Sequence, residues 1–135
     1  MIYLLDTNII AALVKYDKSV KQKFQQAFEA GHILCLSHYN HYEVIRGLEL
    51  PEHQRKFNEY KILIQSMTLY PHDLQTFEIT ALLYKILKAQ GELIEDPDLI
   101  IAATALQNNA ILVTDNTKHF ARVPNLQLEN WIEHQ

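Results

Sequence analysis

Short apolar runs alternate along the chain with longer amphipathic stretches, and this alternation predicts the order of the elements. Runs too short to form helices are predicted to be strands, at residues 2–5, 33–36, 67–70, 110–113 and 126–128. The first and fourth of these runs are apolar throughout, as is typical of strands that are buried on both faces of a parallel sheet.

The stretches between these runs carry apolar residues at intervals of three and four, which predicts helices. The predicted helices cover residues 7–16, 20–28, 38–50, 52–66, 73–90 and 96–105. The helix that follows Asp73 has two apolar stripes and is therefore predicted to be well buried. Alternation of strand and helix predicts a parallel sheet with helices on both faces.

Composition narrows the class of protein. A chain of 135 residues with 48% apolar content suits one globular domain that spans residues 1–135. Its net charge of −4 argues against holding nucleic acid by bulk positive charge, but a nuclease remains compatible because a bound divalent metal reverses the charge of a small acidic site.

Targeting features are lacking in the sequence. The lone cysteine, Cys35, allows no internal disulfide and suits a reducing compartment. No apolar stretch is long enough to span a membrane, and the N-terminus has no basic region before its first apolar run. We therefore expect a cytoplasmic protein without membrane association.

Two of the predicted strands end in acidic turns, at residues 6–8 and 114–116. Parallel strands place both turns at one edge of the sheet, where open α/β sheets bind ligands. Glu43, two helical turns beyond the second strand, and Asp98, at the start of a helix, are expected to reach the same edge. Clustered carboxylates repel one another, and an oxygen-liganded cation such as Mg²⁺ or Mn²⁺ relieves the repulsion. The alternative is that Asp6 or the next residue only caps the first helix.

Four motifs in order along the chain resemble the PIN domain. They are DTN at residues 6–8, E-x-x-x-G at 43–47, D-x-x-I-A-A at 98–103 and LVTDNT at 112–117. The closing PNLQLENW at residues 124–131 and the length resemble the VapC-type toxin ribonucleases of bacterial toxin–antitoxin pairs. The resemblance covers nearly the whole chain.

The resemblance implies both a fold and an activity. The fold is a three-layer α/β/α sandwich with a central, mainly parallel sheet of four or five strands. The implied activity is that of an endoribonuclease that hydrolyses RNA phosphodiesters with Mg²⁺, or with Mn²⁺ in its place. The implied partners are an RNA substrate, a cognate VapB-type antitoxin and a second copy of the chain in a homodimer.

The resemblance also assigns the catalytic residues. Asp6, Glu43 and Asp98 match the three core acids of the family, with Asp6 and Asp98 as metal ligands. The usual position of a fourth acid falls on Asn116, one residue after Asp115, so Asp115 is carried as the fourth catalytic candidate.

Four other residues have expected supporting roles. Asn8 and Thr114 are expected to hydrogen-bond the carboxylates and fix their orientation. Asp96 is expected to cap the helix that Pro97 begins. Arg46 either pairs with the acid three residues before it or contacts a substrate phosphate, and the pairing is favoured.

Two other functions are compatible with these residues. One is a non-catalytic PIN-like binding module with a degenerate site, which the three intact acids argue against. The other is a different acid- and Mg²⁺-dependent phosphohydrolase, such as a phosphatase. That class commonly needs a lysine near an aspartate nucleophile, and the DTN turn offers none.

Arg46, Lys15 and Lys18 are the expected source of positive charge near the pocket.

Overall fold

The computed structural model describes residues 1–134, and in these residues five parallel strands form one sheet. The strands are β1 (Ile2–Leu5), β2 (Ile33–Ser37), β3 (Thr68–Tyr70), β4 (Ile111–Val113) and β5 (Leu128–Glu129). Their order across the sheet is β3-β2-β1-β4-β5. The predicted parallel sheet of four or five strands is confirmed.

Seven α-helices connect the strands in the described part of the chain. They are α1 (Thr7–Val14), α2 (Lys18–Glu29), α3 (His38–Gly47), α4 (Gln54–Leu63), α5 (Leu74–Ala89), α6 (Asp96–Gln107) and α7 (Thr117–Phe120). Short 3-10 turns precede and follow α4, at Pro51–His53 and Ile64–Ser66. No helix in residues 1–134 is both long and apolar enough to cross a bilayer.

The central strand β1 separates two apolar cores. Leu5 packs into a core with residues of α1, α2, α3 and α4, whereas Leu4 packs into a second core with residues of α5 and α6. Successive side chains of a strand point to opposite faces, so the helices form layers on both sides of the sheet. The predicted three-layer α/β/α arrangement is confirmed.

Strand β1 also determines where the first acidic turn lies. It pairs with β2 through Leu4 and Cys35 and with β4 through Leu5 and Val113. Asp6 follows β1 directly, and its backbone N–H donates to the Val113 carbonyl at 2.9 Å. The turns after β1 and β4 therefore adjoin at the carboxyl edge of the sheet, as predicted.

Several predicted boundaries and burials are wrong. Helix α5 buries only Thr76, Leu83 and Leu87, while Leu74 is 82% exposed and Phe77 49% exposed. One stripe of α5 packs on α6, and periodicity does not show which stripe has a partner. The last strand lies at 128–129 instead of 126–128, and α7 was not predicted.

Helix α3 is also shorter than predicted and ends at Gly47 instead of residue 50. Leu50 is extended, with φ −71° and ψ 145°, because the residue before a proline is disfavoured in the helical region. Pro51 then begins the first 3-10 turn, so the chain turns before α4.

Candidate active site

Asp6 is the N-cap of α1 and is only 7% exposed. Its Oδ1 accepts a hydrogen bond of 2.8 Å from the Thr7 backbone N–H. The interpretation of Asp6 as a helix cap is therefore correct but incomplete. The carboxylate makes further contacts with other elements, however, which a simple helix cap does not require.

Three side chains from separate elements also donate to the Asp6 carboxylate. Asn40 Nδ2 donates to Oδ1 at 3.2 Å, Thr114 Oγ1 donates to Oδ2 at 2.8 Å, and Asn8 Nδ2 donates to Oδ2 at 3.5 Å. A carboxylate has about four acceptor sites, so Asp6 is held in one orientation by a nearly complete set of donors. The hydrogen bonds expected of Asn8 and Thr114 are present.

Asn40 links the Asp6 and Glu43 carboxylates. The Ser37 hydroxyl accepts from the Asn40 backbone N–H at 3.0 Å and donates to Asn40 Oδ1 at 2.6 Å, which turns the amide nitrogen toward the acids. Asn40 Nδ2 then donates to Thr7 Oγ1 at 2.9 Å, and Thr7 Oγ1 donates to Glu43 Oε1 at 2.8 Å. One continuous network therefore positions Asp6 and Glu43 together.

Sequence reasoning assigned no role in the site to Asn40 or to the hydroxyl of Thr7, and it predicts Ser37 only as the N-cap of α3, which the structure confirms. A signal for Asn40 was present, because it lies three residues before Glu43 and shares its face of α3. Asn40 is fully buried, and a buried amide requires hydrogen-bond partners.

Asp98 lies in the first turn of α6 and has a different environment. Within residues 1–134 its carboxylate accepts no side-chain or backbone hydrogen bond, and it is half-buried. Burial and then the negative charge of Asp6 raise the pKa of Asp98 to about 6, with a smaller contribution from Glu43. The structure thus brings the three predicted core acids within electrostatic reach of one another.

Burial also raises the pKa of Asp6, against hydrogen bonds from Thr114 and Thr7 that favour the ionised form. Glu43 adds a repulsive contribution in the same direction as burial. Both aspartates therefore have a pKa above that of an ordinary carboxyl group, first because they are buried and second because acidic neighbours add negative charge.

The acids fit a hydrated hard cation better than a fully protein-caged one. In residues 1–134 no three His, Cys, Asp or Glu side chains converge tightly enough to surround a metal ion. Mg²⁺ typically keeps several waters and binds through one or two carboxylates together with substrate phosphate. Asp6 and Asp98 supply two such carboxylates, and the donors are all oxygen.

Comparison with known proteins places the chain in a family. The PIN domain family model matches residues 3–126. Ribonuclease VapC1 of Haemophilus influenzae strain R2866 is 34% identical over 138 residues, covering 97% of this chain and 98% of the relative. The chain belongs to the VapC family of PIN domain proteins.

Solved structures of VapC family members have the same fold. A VapBC2 complex from Rickettsia felis, bound to a DNA fragment from its promoter, contains a chain with TM-score 0.89 and 28% identity, covering 98% of this chain and 100% of that one. VapBC-1 from nontypeable Haemophilus influenzae gives TM-score 0.83 and 32% identity, with coverage of 97% and 98%.

The fourth acid predicted from the VapC family pattern contacts other partners. The Asp115 carboxylate accepts from Asn130 Nδ2 at 3.0 Å and contacts His134 Nε2 at 2.5 Å, which lowers the pKa of Asp115. Its backbone N–H donates to Asn8 Oδ1 at 3.1 Å. These contacts anchor the C-terminal segment beside the turn, and a catalytic role for Asp115 stays a prediction that they do not favour.

Asn116 supports the turn and does not contact the acids. Its backbone N–H donates to Thr114 Oγ1 at 3.0 Å, and its side chain donates to His119 Nδ1 at 3.0 Å. Thr114 can therefore direct its own proton to Asp6, because its oxygen is already an acceptor for the Asn116 N–H.

The prediction that Asp96 caps α6 is wrong. Asp96 is itself the first helical residue, and the cap position belongs to Glu95, whose side chain makes no capping hydrogen bond. Pro97 has no N–H, which removes one of the two donors that a capping side chain normally binds. Asp96 is exposed, whereas Asp98 faces the other acids.

The predicted pair between Arg46 and Glu43 is also wrong for the described residues. Arg46 Nη1 donates to the Tyr42 hydroxyl at 3.3 Å, and its guanidinium lies 5.1 Å from the centre of the Tyr42 ring. Glu43 is instead hydrogen-bonded by Thr7. A phosphate contact by Arg46 stays a prediction.

Proposed function

We propose that this protein is a Mg²⁺-dependent endoribonuclease and the toxin of a toxin–antitoxin pair. The observation that supports this most strongly is the contrast between a fully hydrogen-bonded Asp6 and an unsupported, half-buried Asp98 at the same edge of the sheet. Two neighbouring carboxylates, one held by hydrogen bonds and one half-buried beside negative charge, form a site that suits a divalent cation. The named VapC ribonucleases among its relatives make RNA the proposed substrate.

In this proposal Asp6 and Asp98 hold the cation, and Asn40, Thr114 and Asn8 keep Asp6 in its binding orientation. When bound, Mg²⁺ lowers the pKa of water and stabilises charge on the phosphate oxygens. The preformed hydrogen bonds limit the reorganisation that cation binding requires at Asp6.

Glu43 orients the attacking water. Its Oε1 accepts the hydrogen bond from Thr7, and in the described residues Oε2 has no hydrogen-bond partner. Oε2 is therefore available to accept a proton from the water as the water oxygen attacks phosphorus and the bridging P–O bond breaks. Thr7 fixes the rotamer that this role requires.

Two protein partners belong to the proposal. Solved relatives are VapBC complexes, so we expect a cognate VapB-type antitoxin to bind this chain and inhibit it. We also expect a homodimer, and the stripe of Leu74, Phe77 and Tyr84 on α5 supports this because it exposes large apolar side chains.

Cleavage of RNA by purified protein tests the activity. We expect a structured RNA to be cut with Mg²⁺, to remain intact with EDTA, and to remain intact when Asp98→Asn replaces the wild type. A small phosphate monoester should not be hydrolysed under the same conditions. Hydrolysis of the monoester would favour a general phosphohydrolase, and intact RNA under every condition would favour a non-catalytic binding module.

A further inference from the structure

A groove beside the acids carries positive charge that the mechanism above does not use. It is lined on one side by Lys15, at the end of α1, and on the other by Lys56 of α4 and His53. Glu43 is the one acidic side chain that lines it. We call this the lysine groove, and its positive charge contrasts with a chain whose net charge is −4.

The lysines of this groove have no acidic partner in residues 1–134. The one salt bridge in this part of the chain joins His134 to Asp115, and neither Lys15 nor Lys56 makes a side-chain hydrogen bond. Lys56 is partly buried and Lys15 is exposed, and both side chains line the groove. Two unpaired cations at a groove wall suit the phosphates of an anionic chain.

The rest of the groove suits a nucleotide. Ala11 of α1 and Leu48, which follows α3, are partly exposed apolar side chains that line it and offer contact surface for a ribose or a base. Gly47 lies four residues after Glu43 on α3, and a methyl group at Gly47 would meet no atom within 4 Å. The groove is therefore open beside the glycine of the E-x-x-x-G motif.

The groove leads to the acids. Thr7 and Glu43 belong both to the lysine groove and to the hydrogen-bond network of the site. On the other side of the acids, Asp98 lines a second pocket together with Arg122, Glu95 and Asp96. That pocket has three acids beside Arg122 and His119, and the Arg122 guanidinium donates to the Leu93 carbonyl at 3.4 Å, so it is less suited to phosphate than the lysine groove with its one acid.

We propose that the lysine groove binds the RNA backbone on one side of the scissile bond, with Lys15 and Lys56 contacting successive phosphates. This inference rests on the proposed ribonuclease function and adds the direction in which the RNA strand crosses the site. The strand enters along α1 and α4, crosses Glu43, Asp6 and Asp98, and leaves through the pocket beside Arg122. Affinity comes mainly from the lysine side.

Fluorescence anisotropy with a labelled single-stranded oligoribonucleotide tests the groove directly. Asp98→Asn is the background, so that the RNA stays intact while binding is measured. Adding Lys15→Gln and Lys56→Gln should raise Kd by about tenfold and reduce the slope of log affinity against log salt by about 1.4, or about 0.7 for each lost phosphate contact. Lys85→Gln on α5 is the matched control, because it removes one exposed lysine away from the groove, and it should change neither quantity.

Two further measurements separate charge from structure and from activity. Lys15→Arg with Lys56→Arg should restore RNA affinity, since both side chains contact phosphate through charge. In otherwise wild-type protein, the two glutamine substitutions should raise KM for RNA and leave kcat close to wild type.

A Kd and salt slope equal to those of Lys85→Gln would overturn the groove assignment even if RNA is still cleaved. Unchanged RNA affinity with weakened antitoxin binding would assign the groove to that protein and would equally overturn the proposal. If the starting protein neither binds nor cleaves RNA with Mg²⁺, the proposed function itself fails, and the groove assignment fails with it.

Discussion

Asp6 and Asp98 have the same side chain, but they differ in the hydrogen bonds that their carboxylates accept. Asp6 follows the central strand and accepts hydrogen bonds from Thr7, Asn40, Thr114 and Asn8. Asp98 lies in the first turn of α6, its carboxylate accepts no hydrogen bond within residues 1–134, and its pKa is raised to about 6 by burial and by the charge of Asp6. The protein alone thus supports the Asp6 carboxylate with hydrogen bonds, whereas burial and neighbouring charge destabilise the ionised Asp98 carboxylate.

In the proposed function, this difference is how a small domain builds a cation site without a full set of protein ligands. Hydrogen bonds fix one carboxylate, and its charge then makes the second carboxylate dependent on a cation. Removing the charge of Asp6 should therefore lower the stability of the metal-free fold, whereas removing the charge of Asp98 should raise it. Either change should lower the activity. The following predictions test that distinction.

The largest expected effect is the loss of cleavage on removing the charge of Asp98. We expect Asp98→Asn to abolish detectable RNA cleavage while the fold is retained, because a cation ligand is lost. Asp96→Asn is the matched control two residues earlier. It should change cleavage by less than about twofold, since Asp96 is exposed and makes no capping hydrogen bond. If the two substitutions have the reverse ranking, Asp96 is the ligand.

The second prediction concerns the water-orienting role of Glu43. Glu43→Gln keeps an oxygen able to accept from Thr7 but loses the proton-accepting carboxylate, so kcat should fall by about 10²–10⁴-fold. Mg²⁺ affinity, followed by the rise in melting temperature on adding Mg²⁺, should change little. A collapse of the Mg²⁺ response would instead make Glu43 a direct ligand.

The third prediction concerns the support of Asp6. Thr114→Val removes the hydroxyl that donates to Asp6 Oδ2 at 2.8 Å and keeps the size of the side chain. We expect Mg²⁺ affinity or activity to fall by about 10–100-fold, as is usual for groups that orient metal ligands. Thr80→Val on α5, whose hydroxyl donates to the Thr76 carbonyl, provides a comparison, and it should leave Mg²⁺ affinity unchanged.

The fourth and smallest expected effect is the pH dependence of metal-free stability. Because the pKa of Asp98 is raised from 3.8 to about 6, the folded protein keeps a proton that the unfolded chain releases between these pH values. The stability that this proton contributes to the folded protein is complete below about pH 4 and is lost as the pH rises through 6. The difference in melting temperature between Asp98→Asn and wild type should therefore be larger at pH 7.5 than at pH 4.5. A constant difference across this range would show that the pKa of Asp98 is not raised in the folded protein.

The sequence predicted the fold and the three core acids because both depend on short-range patterns. Apolar runs locate the strands, and parallel strands necessarily bring Asp6 and the turn at Thr114 to one edge. Asp98 and Glu43 followed from motif spacing on helices that begin at this edge.

The features that the sequence did not predict depend on how helices and side chains are oriented in the folded protein. The role of Asn40 depends on the rotation of α3, which Ser37 fixes through hydrogen bonds to the backbone and side chain of Asn40. The exposure of Leu74 on α5 depends on which stripe meets α6, and both stripes are equally apolar in sequence. Arg46 had two nearby partners, and only the structure shows that it stacks on Tyr42.

The hydrogen bonds of Asp6 lead to a different expectation for Asp6→Asn than the sequence alone does. Repulsion among the acids predicts that Asp6→Asn stabilises the metal-free protein. However, an asparagine amide would place an NH₂ group against at least one of the donors from Thr7, Asn40, Thr114 and Asn8, at a cost of about 1–3 kcal/mol. Both substitutions relieve repulsion, but a net gain in stability is therefore expected for Asp98→Asn alone.

Thermal unfolding of Asp6→Asn and Asp98→Asn at pH 7.5 in EDTA is the most direct test of this contrast between the two aspartates. We predict a melting temperature below wild type for Asp6→Asn and above wild type for Asp98→Asn, with the stabilisation by added Mg²⁺ reduced in both. Shifts of the same sign in EDTA would contradict the account, because they would show that hydrogen bonding and repulsion are not divided between the two aspartates.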